Sequence, residues 1–161
     1  TGTLMAYQAR GLEENGVIAT YKHLIANNME FERKSAHGII DENTLRDLYL
    51  RVFDKAFSLY KPGCVMTSYN PVNGIYPCEN SALLNDLLRG EWGFDGFVMT
   101  DWGSYDTADS IRSVCAGTNL LTPGSKKHFR MILKAVKRNE ISKAALQHSV
   151  KQIVKVLVRC I

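Results

Sequence analysis

Three places in the sequence put polar, chemically capable residues directly after short apolar runs. Lys22 and His23 follow Val17–Tyr21, Tyr69 and Asn70 follow Cys64–Ser68, and Asp101 and Trp102 follow Phe97–Thr100. Each run reads as a strand feeding a loop and then a helical pattern. In parallel α/β folds, the carboxyl ends of the strands are where sites are built. Asp101 is the sharpest of these residues, because the strand Phe97-Val98-Met99 drives it out at the rim. The indole of Trp102 beside it offers a flat apolar surface for the C–H face of a sugar ring. A Lys-His pair alone is usually structural, but three strand ends carrying such residues point to one shared site.

The elements that must position these residues alternate along the chain. A helix over Thr3–Glu14 feeds the first strand. Asp41 is placed to cap a helix through Tyr60, with Leu45, Leu48, Tyr49, Val52, Ala56 and Leu59 on one face and Pro62 and Gly63 as its stop. Asn80 caps Ser81–Arg89, striped by Leu83, Leu84, Leu87 and Leu88, and Asp106 opens a helix to Ala116. A fourth apolar run, Thr118–Leu121, precedes helices over Lys127–Arg138 and Ser142–Arg159, the last capped by Ser142. Continuous rather than alternating apolar strands argue for a parallel sheet covered on both faces. No Gly-rich phosphate loop follows any strand, which counts against nucleotide-binding doubly wound folds. The expectation is an α/β chain forming a partial (β/α) barrel, TIM-barrel-like. Its roughly four βα units are about half of a barrel that typically needs about 250 residues.

Composition sets the outer bounds. With 45% apolar and 22% charged residues in 161, the chain is an ordinary globular sequence of one domain's length. No apolar run approaches the roughly 18 residues that cross a bilayer. Thr1 opens the chain with no basic-then-apolar leader, so a missing beginning and a cytoplasmic setting are the expectations. Cys64, Cys78, Cys115 and Cys160 contain no CxxC pair and read as neither a disulfide framework nor a zinc site, with Cys64 buried. From Lys126 onward ten Lys and Arg face one acid, Glu140, but the cations spread around two helices with only Phe129 as an interleaved aromatic. That is a solvated surface rather than a nucleic-acid or membrane contact.

Longer stretches carry a resemblance. The run from Leu87 to Ser104, Leu-Leu-Arg-Gly-Glu-Trp-Gly-Phe-Asp-Gly-Phe-Val-Met-Thr-Asp-Trp-Gly-Ser, resembles the active-site signature of glycoside hydrolase family 3. Ala19–Glu30, Met66–Gly74 and Ala116-Gly117 with Pro123-Gly124 agree with it in the right order. The resemblance covers essentially the whole chain. It implies a retaining β-glycosidase of the β-glucosidase type, acting on a β-linked glucoside or oligosaccharide from its non-reducing end. Asp101 stands where the family has its nucleophile, which forms and then loses a glycosyl ester. Lys22, His23 and Arg33 match residues that bind the sugar hydroxyls. Met66 matches an apolar wall, Tyr69 a tyrosine near the nucleophile, and Trp102 the aromatic flanking the leaving group.

Departures from the family pattern matter too. Asn119 and Thr122 stand where the family usually has aspartate and methionine, and Glu30 and Glu79 match no family acid. The resemblance therefore implies that residues 1–161 are the later part of a catalytic barrel. The early strands, and a second domain bearing the acid/base, lie elsewhere. Half a barrel exposes sheet edges, so pairing with the missing half or with a copy of itself is expected. Neither the mechanism nor any ligand spacing calls for a metal or organic cofactor. Two rival readings are a Schiff-base lyase using Lys22 and a half-barrel that binds sugar or a partner without turnover.

Overall fold

The computed structural model describes residues 1–160. Helix α1, Gly2–Glu13, leads into strand β1, Thr20–Leu24. A helical run over 42–59, α2, consists of Glu42–Thr44, wider π-type turns over Leu45–Leu50, and Arg51–Leu59. Asp41 caps it as expected, its side chain accepting from the Thr44 amide at 3.0 Å. Then follow β2 (Cys64–Thr67), α3 (Ala82–Glu91), β3 (Phe97–Thr100), α4 (Ser110–Cys115), α5 (Lys126–Lys137) and α6 (Lys143–Leu157).

The strands form one parallel sheet in the order β1-β2-β3. Leu24 pairs with Thr67, and Thr67 with Thr100, so all three strands end on one rim. On one face, Tyr21, Leu24, Val65 and Val98 pack against Ala9 of α1, Leu50, Phe53 and Phe57 of α2, and Leu84 and Leu88 of α3. Phe57 stacks on Trp92 with centroids 5.3 Å apart and meets Tyr21 and Phe94 edge-on. On the other face, Cys64 and Phe97 pack with Ile153 and Val156 of α6.

Four sequence expectations need correction. The first strand is Thr20–Leu24, so Lys22 and His23 lie within it rather than after it. The Glu13 carboxylate takes the Ala19 amide at 3.0 Å, so Ala19 joins the ladder only through its carbonyl, which accepts from the Cys64 amide at 3.1 Å. The fourth run makes only a single bridge, Leu120 to Met99. There the Asn119 side chain accepts from the Val98 amide at 2.7 Å, filling a place that a neighbouring strand's carbonyl would take. Asp106 does not open a helix. It sits in the short turn Ser104–Asp106, and Asp109 caps α4 by accepting from the Ile111 and Arg112 amides. Leu48 and Leu59 are exposed, because the π-type turns rotate α2 and present Leu50, Phe53 and Phe57 to the core instead. The α3 stripe and the Ser142 cap stand as expected.

Candidate active site

Asp101 leaves β3 at the rim, 8% exposed. Its two carboxylate oxygens have different neighbours. Oδ1 accepts from the Trp102 amide at 2.7 Å, and Oδ2 lies 3.2 Å from Nε2 of His23. This fixes the carboxylate plane while leaving Oδ2 beside the one adjacent side chain that can change its charge near neutrality. Burial is the main influence on His23 and lowers its pKa; the Asp101 charge opposes that shift, and the Lys22 and Arg33 charges reinforce it. At neutral pH the imidazole is therefore uncharged.

Tyr69 follows β2 and is buried. Its hydroxyl donates to the Trp102 carbonyl at 2.5 Å. Burial, then the nearby Asp101 charge, raise its pKa, so it stays a neutral donor. The loop after β1 returns over this ring: the Arg33 guanidinium sits 4.6 Å from the Tyr69 centroid and pairs with Glu30 at 2.8 Å. Trp102 projects outward, 61% exposed. The structure thus gathers His23, Arg33, Tyr69, Asp101 and Trp102 around one rim. Lys22 is exposed on β1, close enough for its charge to act on His23. Met66 is buried within β2 opposite Met99 of β3, a core position.

Sequence reasoning missed two members of the cluster, Lys34 and Asp106. Lys34 Nζ pairs with Asp106 at 2.9 Å and lies 5.5 Å from the Tyr69 centroid. The two residues are far apart in sequence and belong to no common motif, so no local signal links them. Glu79 reaches no part of this cluster and instead accepts from the Asp109 amide at 2.5 Å. Of the remaining histidines, His37 and His148 are exposed, and His128 packs against Tyr105 with centroids 4.1 Å apart. Among the described residues, no group of three or more His, Cys, Asp or Glu side chains is placed to hold a metal.

Fold and site together define an α/β protein whose chemistry-bearing side chains meet at the carboxyl rim of a parallel sheet. The model of the glycosyl hydrolase family 3 N-terminal domain matches residues 1–156, and the chain belongs to that family. It is 38% identical over 160 residues to a probable beta-glucosidase I of Aspergillus flavus, covering 98% of this chain and 19% of that protein. A probable beta-glucosidase J of Aspergillus fumigatus is also 38% identical, with 18% of its length covered. Among solved structures, beta-glucosidase 3B of Thermotoga neapolitana in complex with glucose superposes with a TM-score of 0.93 at 37% identity. That match covers 98% of this chain and 23% of the other. The chain thus spans about a fifth of the length of the curated relatives it matches.

Proposed function

We propose that this chain forms the nucleophile-bearing part of a retaining β-glycosidase of the β-glucosidase type, with Asp101 as the nucleophile. The observation that carries the reading is the setting of Asp101, recessed at the strand end with Oδ1 anchored by the Trp102 amide and Oδ2 beside His23. A carboxylate with one oxygen pinned attacks in a defined direction. In the proposed reaction it displaces the leaving group at the anomeric carbon, forms a glycosyl ester, and is released by water. Lys22, His23 and Arg33 bind the sugar hydroxyls, Tyr69 steadies the loop that carries the nucleophile, Met66 walls the pocket, and Trp102 receives the leaving group. The beta-glucosidase names of the relatives, and the glucose in the Thermotoga neapolitana complex, support a β-glucoside as substrate.

The barrel reading also belongs to this proposal. Consecutive strands are neighbours with no reversal of order, and Leu120 bridges next to β3, as in a (β/α) barrel rather than a doubly wound sheet. We read residues 1–161 as part of such a barrel. The general acid comes from a segment this chain does not contain, and its lack costs on the order of 10²–10⁴-fold on an ordinary leaving group. The Schiff-base alternative draws no support, since Lys22 faces water rather than an apolar pocket.

The test is intact-mass analysis after incubation with a 2-fluoro β-glucoside bearing a very good leaving group, which needs a nucleophile but little acid assistance. One adduct mapped to Asp101, absent from Asp101→Asn, is the expected result. Sugar binding without an adduct in the folded chain would replace this reading with that of a binding module. Rapid hydrolysis of an unactivated disaccharide by the isolated chain would overturn the claim that the acid lies elsewhere.

A further inference from the structure

The loop after β1 bears Arg33 but contains no helix or strand of its own between Ile25 and Asp41. Its first end is tied by Asn70 Nδ2, which donates to the Ala26 carbonyl at 3.1 Å, and its last by the Gly38–Val72 bridge and by Asn73 Nδ2, which donates to the Ile40 carbonyl at 2.8 Å. The stretch between, residues 30–36, needs a tether of its own to stay over the site. Lys34 reaches from this loop to the one after β3, where its ammonium donates to the Asp106 carboxylate at 2.9 Å and the Gly103 carbonyl at 3.3 Å. The Lys34 carbonyl in turn accepts from the Tyr76 hydroxyl at 3.2 Å. Gly103 makes room for the ion pair. Its φ is +83°, and a β-carbon there would stand 3.3 Å from Lys34 Nζ and 3.4 Å from Asp106 Oδ2. Successive carbonyls of Trp102 and Gly103 are therefore gripped from two sides, one by the Tyr69 hydroxyl and the other by Lys34. Arg33 and Lys34 both approach the Tyr69 ring, at 4.6 and 5.5 Å.

We infer that Lys34 is a positioning residue: its pair with Asp106 latches the Arg33 loop onto the loop of Asp101 and Trp102, and so sets the affinity for the sugar. The inference rests on the reading of Asp101 and Arg33 given above. Lys34 Nζ donates to Gly103 and Asp106 and not to the nucleophile. Its removal therefore weakens binding rather than the chemical step. An exposed ion pair adds little to stability by itself, typically below about 1 kcal/mol, which makes a positioning effect separable from unfolding.

The experiment follows inactivation by the 2-fluoro β-glucoside in the 161-residue chain, resolving the dissociation constant of the reagent from the rate of ester formation. Lys34→Met and Asp106→Asn are each expected to raise the dissociation constant about 10-fold and to change the rate of ester formation less than about 3-fold. The double variant should be no worse than either single one, and Lys34→Arg should keep most of the affinity. Unchanged dissociation constants, or additive losses in the double variant, would overturn the latch. Hydrogen exchange separates this from the fate of the glycosidase reading. If the parent chain takes no label, that reading fails, and the latch is judged on the amides of residues 30–36. Exchange there should speed up about 10-fold in Lys34→Met, while strand amides stay unchanged. Equal exchange in the parent and Lys34→Met would refute the latch on its own.

Discussion

The Glu13 carboxylate, in the last turn of α1, accepts a hydrogen bond from the backbone N–H of Gly63, just ahead of β2, at 2.6 Å. The same carboxylate takes the Ala19 amide at 3.0 Å and the Tyr60 hydroxyl at 2.9 Å. One side chain thus ties the entrances of β1 and β2 to the end of α2, on the side of the sheet opposite Asp101. Replacing it with alanine leaves two amides without their partner, which costs about 1–3 kcal/mol. Glu13→Gln keeps an acceptor and should lose less. Urea unfolding of both variants checks the ranking, with Glu13→Ala the lower midpoint.

His23 should make stability depend on pH. Burial lowers its folded pKa below the ordinary 6.5, so the unfolded chain binds its proton first as pH falls. Stability from this residue is then fully present above about 6.5 and declines as pH drops toward the lowered folded value. His23→Gln should flatten the fall in melting temperature over that window. An unchanged slope would mean that other groups carry it.

Arg89 is substantially buried and donates to the Gly96 carbonyl at 2.9 Å and to Asn119 Oδ1 at 2.8 Å. Desolvation pulls its pKa down, and the Asp95 charge opposes that shift without making a hydrogen bond to it. Asn119→Asp would give this cation a carboxylate and keep the acceptor for the Val98 amide. A gain of about 1 kcal/mol is expected at neutral pH. It should disappear below about pH 4, as the new carboxylate protonates. A destabilised Asn119→Asp would show that burying the extra charge outweighs the pairing.

Thiol reactivity should follow burial. Cys64 and Cys78 are fully buried, and burial pushes their pKa values up to about 12 and about 11. Cys115 is free and exposed. Alkylation of the native chain followed by peptide mapping should modify Cys115 well before Cys64 or Cys78, and urea should abolish the difference.

Two glycines should respond in opposite directions to alanine. A β-carbon on Gly96 would meet the Gly63 carbonyl oxygen at 2.3 Å and Phe94 at 2.7 Å, so backbone itself must shift. Gly96→Ala should lose about 1–3 kcal/mol. Gly11, within α1, has open space around its missing β-carbon, and Gly11→Ala should gain about 0.5–1 kcal/mol from helix propensity. Thermal unfolding of the two variants decides both signs.

The sequence by itself determined the order of elements, the caps at Asp41 and Ser142, the leucine stripe of α3, and the placing of Asp101 and Trp102 after β3. All of these are written in residues a few positions apart, where hydrophobic period and capping chemistry act. Tertiary structure decided what depends on groups distant along the chain. The Glu13 carboxylate took the Ala19 amide ahead of β1, the Asn119 side chain took the Val98 amide where the fourth run makes one bridge, and Lys34 pairs with Asp106, whose type suggested a helix start. The π-type turns that turned Leu48 to solvent belong to the same class, since packing against α1 and the sheet sets which residues of α2 are buried. In these cases a contact with a group outside the local element, polar at Glu13, Asn119 and Lys34 and apolar at α2, set the outcome. The energy of that contact outweighed a local preference, and it exists only once the chain has folded.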